Sequence, residues 1–282
     1  MRKRLRKNLA GDLSSEELCK VYNSFDVVGD IAIIRLPDAT DLPIQTIAKA
    51  IMSRHRNVKT VLLQASPVSG HLRLRRLTYV GGENKTCTVH RENGCFFSID
   101  VAKCYFSPRL SYERMRIARL VESNEIVVNM FAGVGCFSIT IAKHAKPEKV
   151  FSIDINPVAI QLMQENIRLN RVFGKIMPLL GDSKELIRNR LQHVADRVLM
   201  PLPEKAREYL PCGVSALKTS GGWIHYYGLE HANKTESPAK KVTLKVKERL
   251  NALGLDFELP FVRVVRCTGP NWFQLAVDVR VM

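Results

Sequence analysis

Gly133 and Gly135 follow the apolar run Glu125-Ile-Val-Val and precede an apolar, helix-like stretch at 138–144. Strand, tight turn and helix in that order bring a ligand close to the backbone, because glycine carries no Cβ and tolerates positive φ. A second apolar run, Val150-Phe-Ser-Ile, ends on the carboxylate of Asp154. A carboxylate at that place can accept from both hydroxyls of a ribose. A third run, 176–180, leads into Gly181-Asp182-Ser183. Ligands of open α/β sheets sit beyond the carboxyl ends of the strands, so the three groups are expected to converge. The dinucleotide form of such a turn reads G-x-G-x-x-G and sets a pyrophosphate on the helix N-terminus. Here the third position is Ser138, and the chain holds no Gly-Lys-Ser/Thr phosphate loop. Asn129, on the first strand, brings no charge to the site.

The elements that must position these groups alternate in type. From Glu125 onward the pattern predicts helices over 158–170, 206–217 and 240–253, with strands over 176–180, 196–200, 221–227, 263–266 and 272–281. Such alternation is the signature of a doubly wound sheet. A smaller α/β module comes first. Residues 25–36 read as two strands turning at Gly29-Asp30, and 44–55 as a helix with Ile44, Ile47, Ala48, Ile51 and Met52 on one face. Strands follow over 58–64, 79–83, 86–92 and 94–101, and Ser14 is placed to cap a short helix. Ser107-Pro108 breaks the chain, and Ser111 is expected to cap the helix carrying Glu113, Arg114 and Arg116. The expected division is a basic arm over 1–24, a small α/β domain over 25–103 and a larger domain over 104–282.

With 282 residues, 46% of them apolar, the chain can bury a sizeable core. No apolar run reaches membrane-spanning length, and the basic start, Met1-Arg-Lys-Arg-Leu-Arg-Lys7, lacks the apolar segment of a signal peptide. Seven cysteines without a C-x-x-C pair imply reduced thiols in the cytoplasm rather than a zinc site or a disulfide frame. A formal charge of +16 points to a polyanionic partner, nucleic acid above all, against the plainer alternative of a generally basic surface.

The glycine turn with Asp154 resembles the S-adenosylmethionine site of class I methyltransferases, whose turn receives an amino acid and a ribose rather than phosphates. Longer motifs sharpen this. Tyr105-Phe-Ser-Pro-Arg-Leu-x-x-Glu113-Arg114, Met130-Phe-Ala-Gly-Val-Gly135, Ile153-Asp-Ile-Asn-Pro157, Asp196-Arg-Val-x-Met-x-Leu-Pro203 and Gly222-x-Ile-His-Tyr-Tyr227 resemble the archaeal/eukaryotic-type tRNA guanine-37 N1-methyltransferases. The related wybutosine-pathway aminocarboxypropyl transferases share most of them. The resemblance runs from about Phe25 to the end of the chain. It implies a class I, Rossmann-like S-adenosylmethionine-dependent methyltransferase domain preceded by a small α/β domain, acting on the anticodon stem-loop region of tRNA; the sequence itself requires no metal, and a cytoplasmic monomer is expected.

By motif position the resemblance implies that Glu113 is the general base for guanosine N1 and that Arg73, in Ser69-Gly-His-Leu-Arg73, steadies negative charge on O6. It implies cofactor contacts from Tyr105, Arg114, Phe131, Gly133, Gly135, Asp154, Ile155, Asp182, Ser183 and Pro201. Read from the residues alone, Glu113 is a surface i,i+3 partner of Arg116, Arg73 one of several phosphate contacts, and Asp182 equally a helix cap or an adenine-side contact. Pro201 departs from the family, which carries asparagine there; proline offers only its carbonyl, so any positioning by that amide must come from elsewhere. Only about 24 residues precede Phe25, fewer than the family's extra N-terminal tRNA-checking domain needs. The expected function is methyl transfer to N1 of guanosine 37; the alternatives are aminocarboxypropyl transfer at the same position and a basic RNA-binding protein with a vestigial cofactor fold.

Overall fold

The computed structural model describes residues 6, 9–22, 24–36 and 42–282. Of the basic run at 1–7, only Arg6 lies among them. The chain divides into two units, Met1–Pro108 and Arg109–Met282.

In the first unit, α1 (Ser15–Lys20) starts at Ser14, whose hydroxyl accepts from the Glu17 backbone N–H while Glu17 accepts from that of Ser14. This reciprocal cap satisfies donors that a helix start leaves open. Arg6 closes the other end by donating to the carbonyls of Cys19 (2.8 Å) and Val21 (2.7 Å). β1 (Asp26–Val28) and β2 (Ile31–Ile34) form the expected hairpin around Gly29, at φ +55°. α2 (Ile44–Arg54) buries Ile47, Ala48, Ala50 and Ile51. With β3 (Thr60–Gln64) and β4 (Leu77–Gly82) the sheet runs β1-β2-β3-β4. A hairpin of β5 (Cys87–Glu92) and β6 (Cys95–Asp100) meets the β1–β2 turn, where the Gly29 N–H donates to His90 Nδ1 at 3.0 Å. Leu9, Leu13 and Val21 pack in one core with Ile34, Ile47 and Val61. The span 9–22 is thus integral structure rather than part of an arm. Its apolar residues were masked in the sequence by the charges around them.

The second unit opens on a 3-10 turn leading into α3 (Ser111–Leu120), with Leu110 at the N-cap and Ser111 already helical. The serine cap expected there is absent because the preceding turn feeds the helix directly. β7 (Ile126–Asn129), α4 (Cys136–His144), β8 (Lys149–Asp154), α5 (Pro157–Asn170), β9 (Ile176–Leu180), α6 (Ser183–Arg190) and β10 (Arg197–Met200) alternate. After them come α7 (Ala206–Ala216), β11 (Gly222–His231), α8 (Pro238–Asn251), β12 (Phe257–Gly269) and β13 (Trp272–Val281). Their seven strands lie in the order β12-β13-β11-β10-β7-β8-β9, which is 3-2-1-4-5-7-6 when counted from β7. β7 to β11 run parallel to one another, whereas β13 is antiparallel to both β11 and β12. Val128, Ile153, Val198, Ile224 and Val277 fill the core, each worth about 1.5–3 kcal/mol relative to exposure. Among the described residues no helix is long and apolar enough to cross a membrane, and all seven cysteines are free thiols.

Candidate active site

The glycine turn is held in the shape its sequence suggests. Gly133 and Gly135 sit at φ +56° and +88°, in the left-handed region. A Cβ on Gly135, the N-cap of α4, would come within 2.7 Å of Met163 Cγ on α5. Beneath the turn, Asn129 Nδ2 donates to Ser138 Oγ at 3.1 Å, and Ser152 Oγ donates to the same hydroxyl at 2.7 Å. Serine replaces the third glycine because its hydroxyl ties β7 and β8 together through α4.

Asp154 binds the turn itself. Its Oδ2 accepts from the Gly133 N–H at 2.6 Å and its Oδ1 from the Asn156 N–H at 2.9 Å, while Asn156 caps α5. Burial pushes this carboxyl above its ordinary range, and the backbone donors of Asn156 and Gly133 pull against that rise. A carboxylate has about four acceptor sites, so capacity remains for ribose hydroxyls after these bonds. Ile155, next in the chain, is exposed. A ribose-bearing cofactor therefore fits this strand end.

At the end of β9, Asp182 is both a cap and more than a cap. Oδ1 accepts from the Lys184 N–H at 2.7 Å, and Oδ2 accepts from the Tyr209 hydroxyl at 2.8 Å. Burial, then the Asp182 carboxylate, push the Tyr209 hydroxyl well above its usual range. The Tyr209 ring meets Phe131 edge to face, centroids 5.2 Å apart. Ser183 Oγ donates to the Met130 carbonyl at 2.8 Å, tying α6 to the end of β7. Pro201 directly follows β10, the other neighbour of β7. The turn, Asp154 and Asp182 thus occupy the carboxyl ends of three adjacent strands.

Glu113 lies on the first turn of α3 and is buried, as is Arg114. Its Oε2 accepts from Arg116 Nε at 2.9 Å and from the Tyr227 hydroxyl at 3.2 Å. Its Oε1 accepts no hydrogen bond, and Arg263 Nη1 stands 3.5 Å away. The i,i+3 pair with Arg116 exists, then, but in the interior rather than on a solvated face. Arg116 in turn grips Asp278 through both terminal nitrogens, at 2.6 and 3.1 Å. Burial drives the Tyr227 hydroxyl well up, with the Glu113 charge adding to it. Burial also works against the charge on Asp278, yet the donors His225 and Arg116 hold that carboxyl down at about 2.

Arg73 and Tyr105 belong to the first unit. Arg73 has φ +54° in a turn closed by reciprocal bonds between Ser69 and Leu74, and its guanidinium lies over the Tyr105 ring, 4.1 Å from the centroid. The two residues assigned to substrate and cofactor respectively stack on one another. Tyr227, His225, Asp278 and Tyr209 were not singled out from sequence as site residues. His225 and Tyr227 share one face of β11 at i,i+2, and Asp278 interrupts an apolar strand; those are the signals that mark them.

The strand order 3-2-1-4-5-7-6, with a glycine turn after the first strand and a carboxylate ending the second, defines an S-adenosylmethionine-dependent class I methyltransferase. The model of the TRM5/TYW2 methyltransferase domain matches residues 88–253, and that of the TYW2 N-terminal domain residues 5–86. The chain belongs to the TRM5/TYW2 methyltransferase family. It is 43% identical to the tRNA (guanine(37)-N(1))-methyltransferase Trm5b of Pyrococcus abyssi over 258 residues, covering 92% of this chain and 74% of that protein. It superposes on aTrm5 solved with tRNALeu at a TM-score of 0.84 and 35% identity, covering 100% of this chain and 79% of the other. TYW2 from Pyrococcus horikoshii, solved with MeSAdo, gives a TM-score of 0.78 at 28% identity, covering 100% of this chain and 99% of that one.

Proposed function

We propose that this protein transfers the methyl group of S-adenosylmethionine to N1 of guanosine 37 in tRNA. The observation that carries the reading is the Glu113 carboxylate, with Oε2 fixed by Arg116 and Tyr227 and Oε1 accepting no hydrogen bond. Guanine N1 is a poor nucleophile while protonated, and a held, buried carboxylate whose Oε1 accepts no hydrogen bond and meets only the Arg263 guanidinium at 3.5 Å is suited to taking that proton. The 43% identity to a Trm5b supports methyl transfer over aminocarboxypropyl transfer.

When bound, S-adenosylmethionine supplies a methyl group on an electrophilic sulfonium. Asp154 holds the ribose, the turn at Gly133 and Gly135 admits the amino-acid end, and Ile155, Asp182, Ser183 and Phe131 line the adenine side. Arg114 and Pro201, and Tyr105 by motif position, are assigned to the remaining cofactor contacts. Glu113 Oε1 would take the N1 proton as that nitrogen gains the methyl group the cofactor supplies. Arg73 is assigned by motif position to the anion that forms at O6; such stabilisation is strongest where water is excluded. The net charge of +16 serves the tRNA backbone, the anticodon stem-loop included.

The test uses two transcripts of one tRNA that differ only at position 37. The reading expects labelled methyl transfer to the guanosine-37 transcript and none to its adenosine-37 counterpart. Equal labelling of both would overturn the assigned position.

A further inference from the structure

Behind Glu113 runs a buried chain of charged and polar groups that methyl transfer itself does not use. Arg116 bonds Glu113 on one side and Asp278 on the other. Asp278 Oδ1 lies 2.6 Å from His225 Nδ1, and His225 Nε2 lies 2.7 Å from Arg197 Nη1. Arg197 is itself fixed by two bonds to Glu125, at 2.7 and 2.8 Å, and by one to the Leu120 carbonyl at the end of α3. The run therefore leaves α3 near its first turn, crosses β13, β11 and β10, and returns to the last turn of the same helix.

Chemistry fixes the proton on the imidazole. A guanidinium nitrogen only donates, so His225 Nε2 accepts from Arg197. Nδ1 then carries the hydrogen and donates to Asp278. The histidine is neutral in a single tautomer, in keeping with the burial that lowers its affinity for a second proton. This bond orients Asp278 so that both of its oxygens meet Arg116, whose other face packs on the Phe261 ring at 4.5 Å. With its two terminal nitrogens engaged, Arg116 presents Nε to Glu113 Oε2.

We infer that Asp278 and His225 are positioning residues for Glu113: acting through Arg116, they fix Oε2 and leave Oε1 to receive the substrate proton. The inference rests on Glu113 being the base. Asp278 also has an electrostatic part. Within this unit Glu113 is faced by Arg116 from its own helix, Tyr227 from β11 and Arg263 from β12, with Asp278 beyond Arg116 on β13. Two guanidinium charges bear on one carboxylate, and Asp278 offsets one of them.

Single-turnover transfer rates of the full chain with guanosine-37 tRNA test this, alongside calorimetric cofactor affinity. Asp278→Asn is expected to slow transfer by about tenfold or more, with cofactor affinity unchanged. Should that variant fail to fold, a second pair decides. His225→Asn can present an N–H where Nδ1–H stands, so it is expected to recover most of the rate lost in His225→Ala. Full-speed transfer by folded Asp278→Asn, or no recovery in His225→Asn, would overturn the inference. Full-speed transfer by Glu113→Gln would instead sink the base assignment beneath it, so the two failures are distinguishable.

Discussion

Glu113 and Asp154 are both carboxylates at partly or wholly buried positions, yet their partners give them opposite tasks. Asp154 is tied to the backbone N–H groups of Gly133 and Asn156, which makes it a rigid acceptor. Asp154→Ala is expected to abolish measurable S-adenosylmethionine binding, since two ribose hydroxyls lose their acceptor at about 1–3 kcal/mol each; unchanged affinity in calorimetry would place the cofactor elsewhere. Glu113→Gln keeps the shape of the side chain but accepts no proton at neutral pH. Single-turnover transfer should fall by about 10²–10⁴-fold while tRNA and cofactor affinities hold. Asp278 predicts a stability effect as well. Its carboxyl is held at about 2, against 3.8 ordinarily, so its contribution is complete above the ordinary value and is lost as pH falls through the lower one. A shift of that size corresponds to about 2 kcal/mol. Denaturant unfolding should show the gap between wild type and Asp278→Asn narrowing as pH drops from about 4 towards 2. Gly133, Gly135 and Asp154 were legible from spacing because a turn and the following strand are local. Asp278 was not, because it meets Arg116 across 162 residues of chain.

At the scale of elements, most strands and helices followed from periodicity, and the departures have physical causes. Helix α3 takes its start from the preceding 3-10 turn and not from Ser111. β13 inserts antiparallel between β11 and β12, which alternation of types cannot reveal because strand order is set by packing. The first unit hides Leu9, Leu13 and Val21 among charged neighbours. Two glycines carry predictions here. Gly135 combines φ +88° with a Cβ position 2.7 Å from Met163; Gly135→Ala should cost at least about 1–2 kcal/mol from the backbone alone and weaken cofactor binding. A melting temperature and affinity equal to wild type would contradict that packing. Gly29, where a Cβ would come 2.1 Å from Thr88 Oγ1, joins the β1–β2 turn to the β5–β6 hairpin. Gly29→Ala should destabilise the first unit, read as faster hydrogen exchange in β1, β2 and β5, with protection of β7 to β9 unaltered.

For the whole molecule the dominant fact is a charge of +16, legible from composition alone. tRNA binding should weaken steeply with salt, each phosphate neutralised in duplex regions adding about −0.9 to the slope of log affinity against log salt. A flat salt dependence would remove electrostatics from recognition. What composition could not choose was the group transferred, because a cofactor fold that grips ribose and adenine serves more than one transfer at the same base. The most direct measurement is mass spectrometry of nucleosides released from an unmodified guanosine-37 tRNA after incubation with the protein and S-adenosylmethionine. The account predicts N1-methylguanosine at position 37, its formation lost with Glu113→Gln. An aminocarboxypropyl adduct, or methylation at any other atom or position, would contradict it.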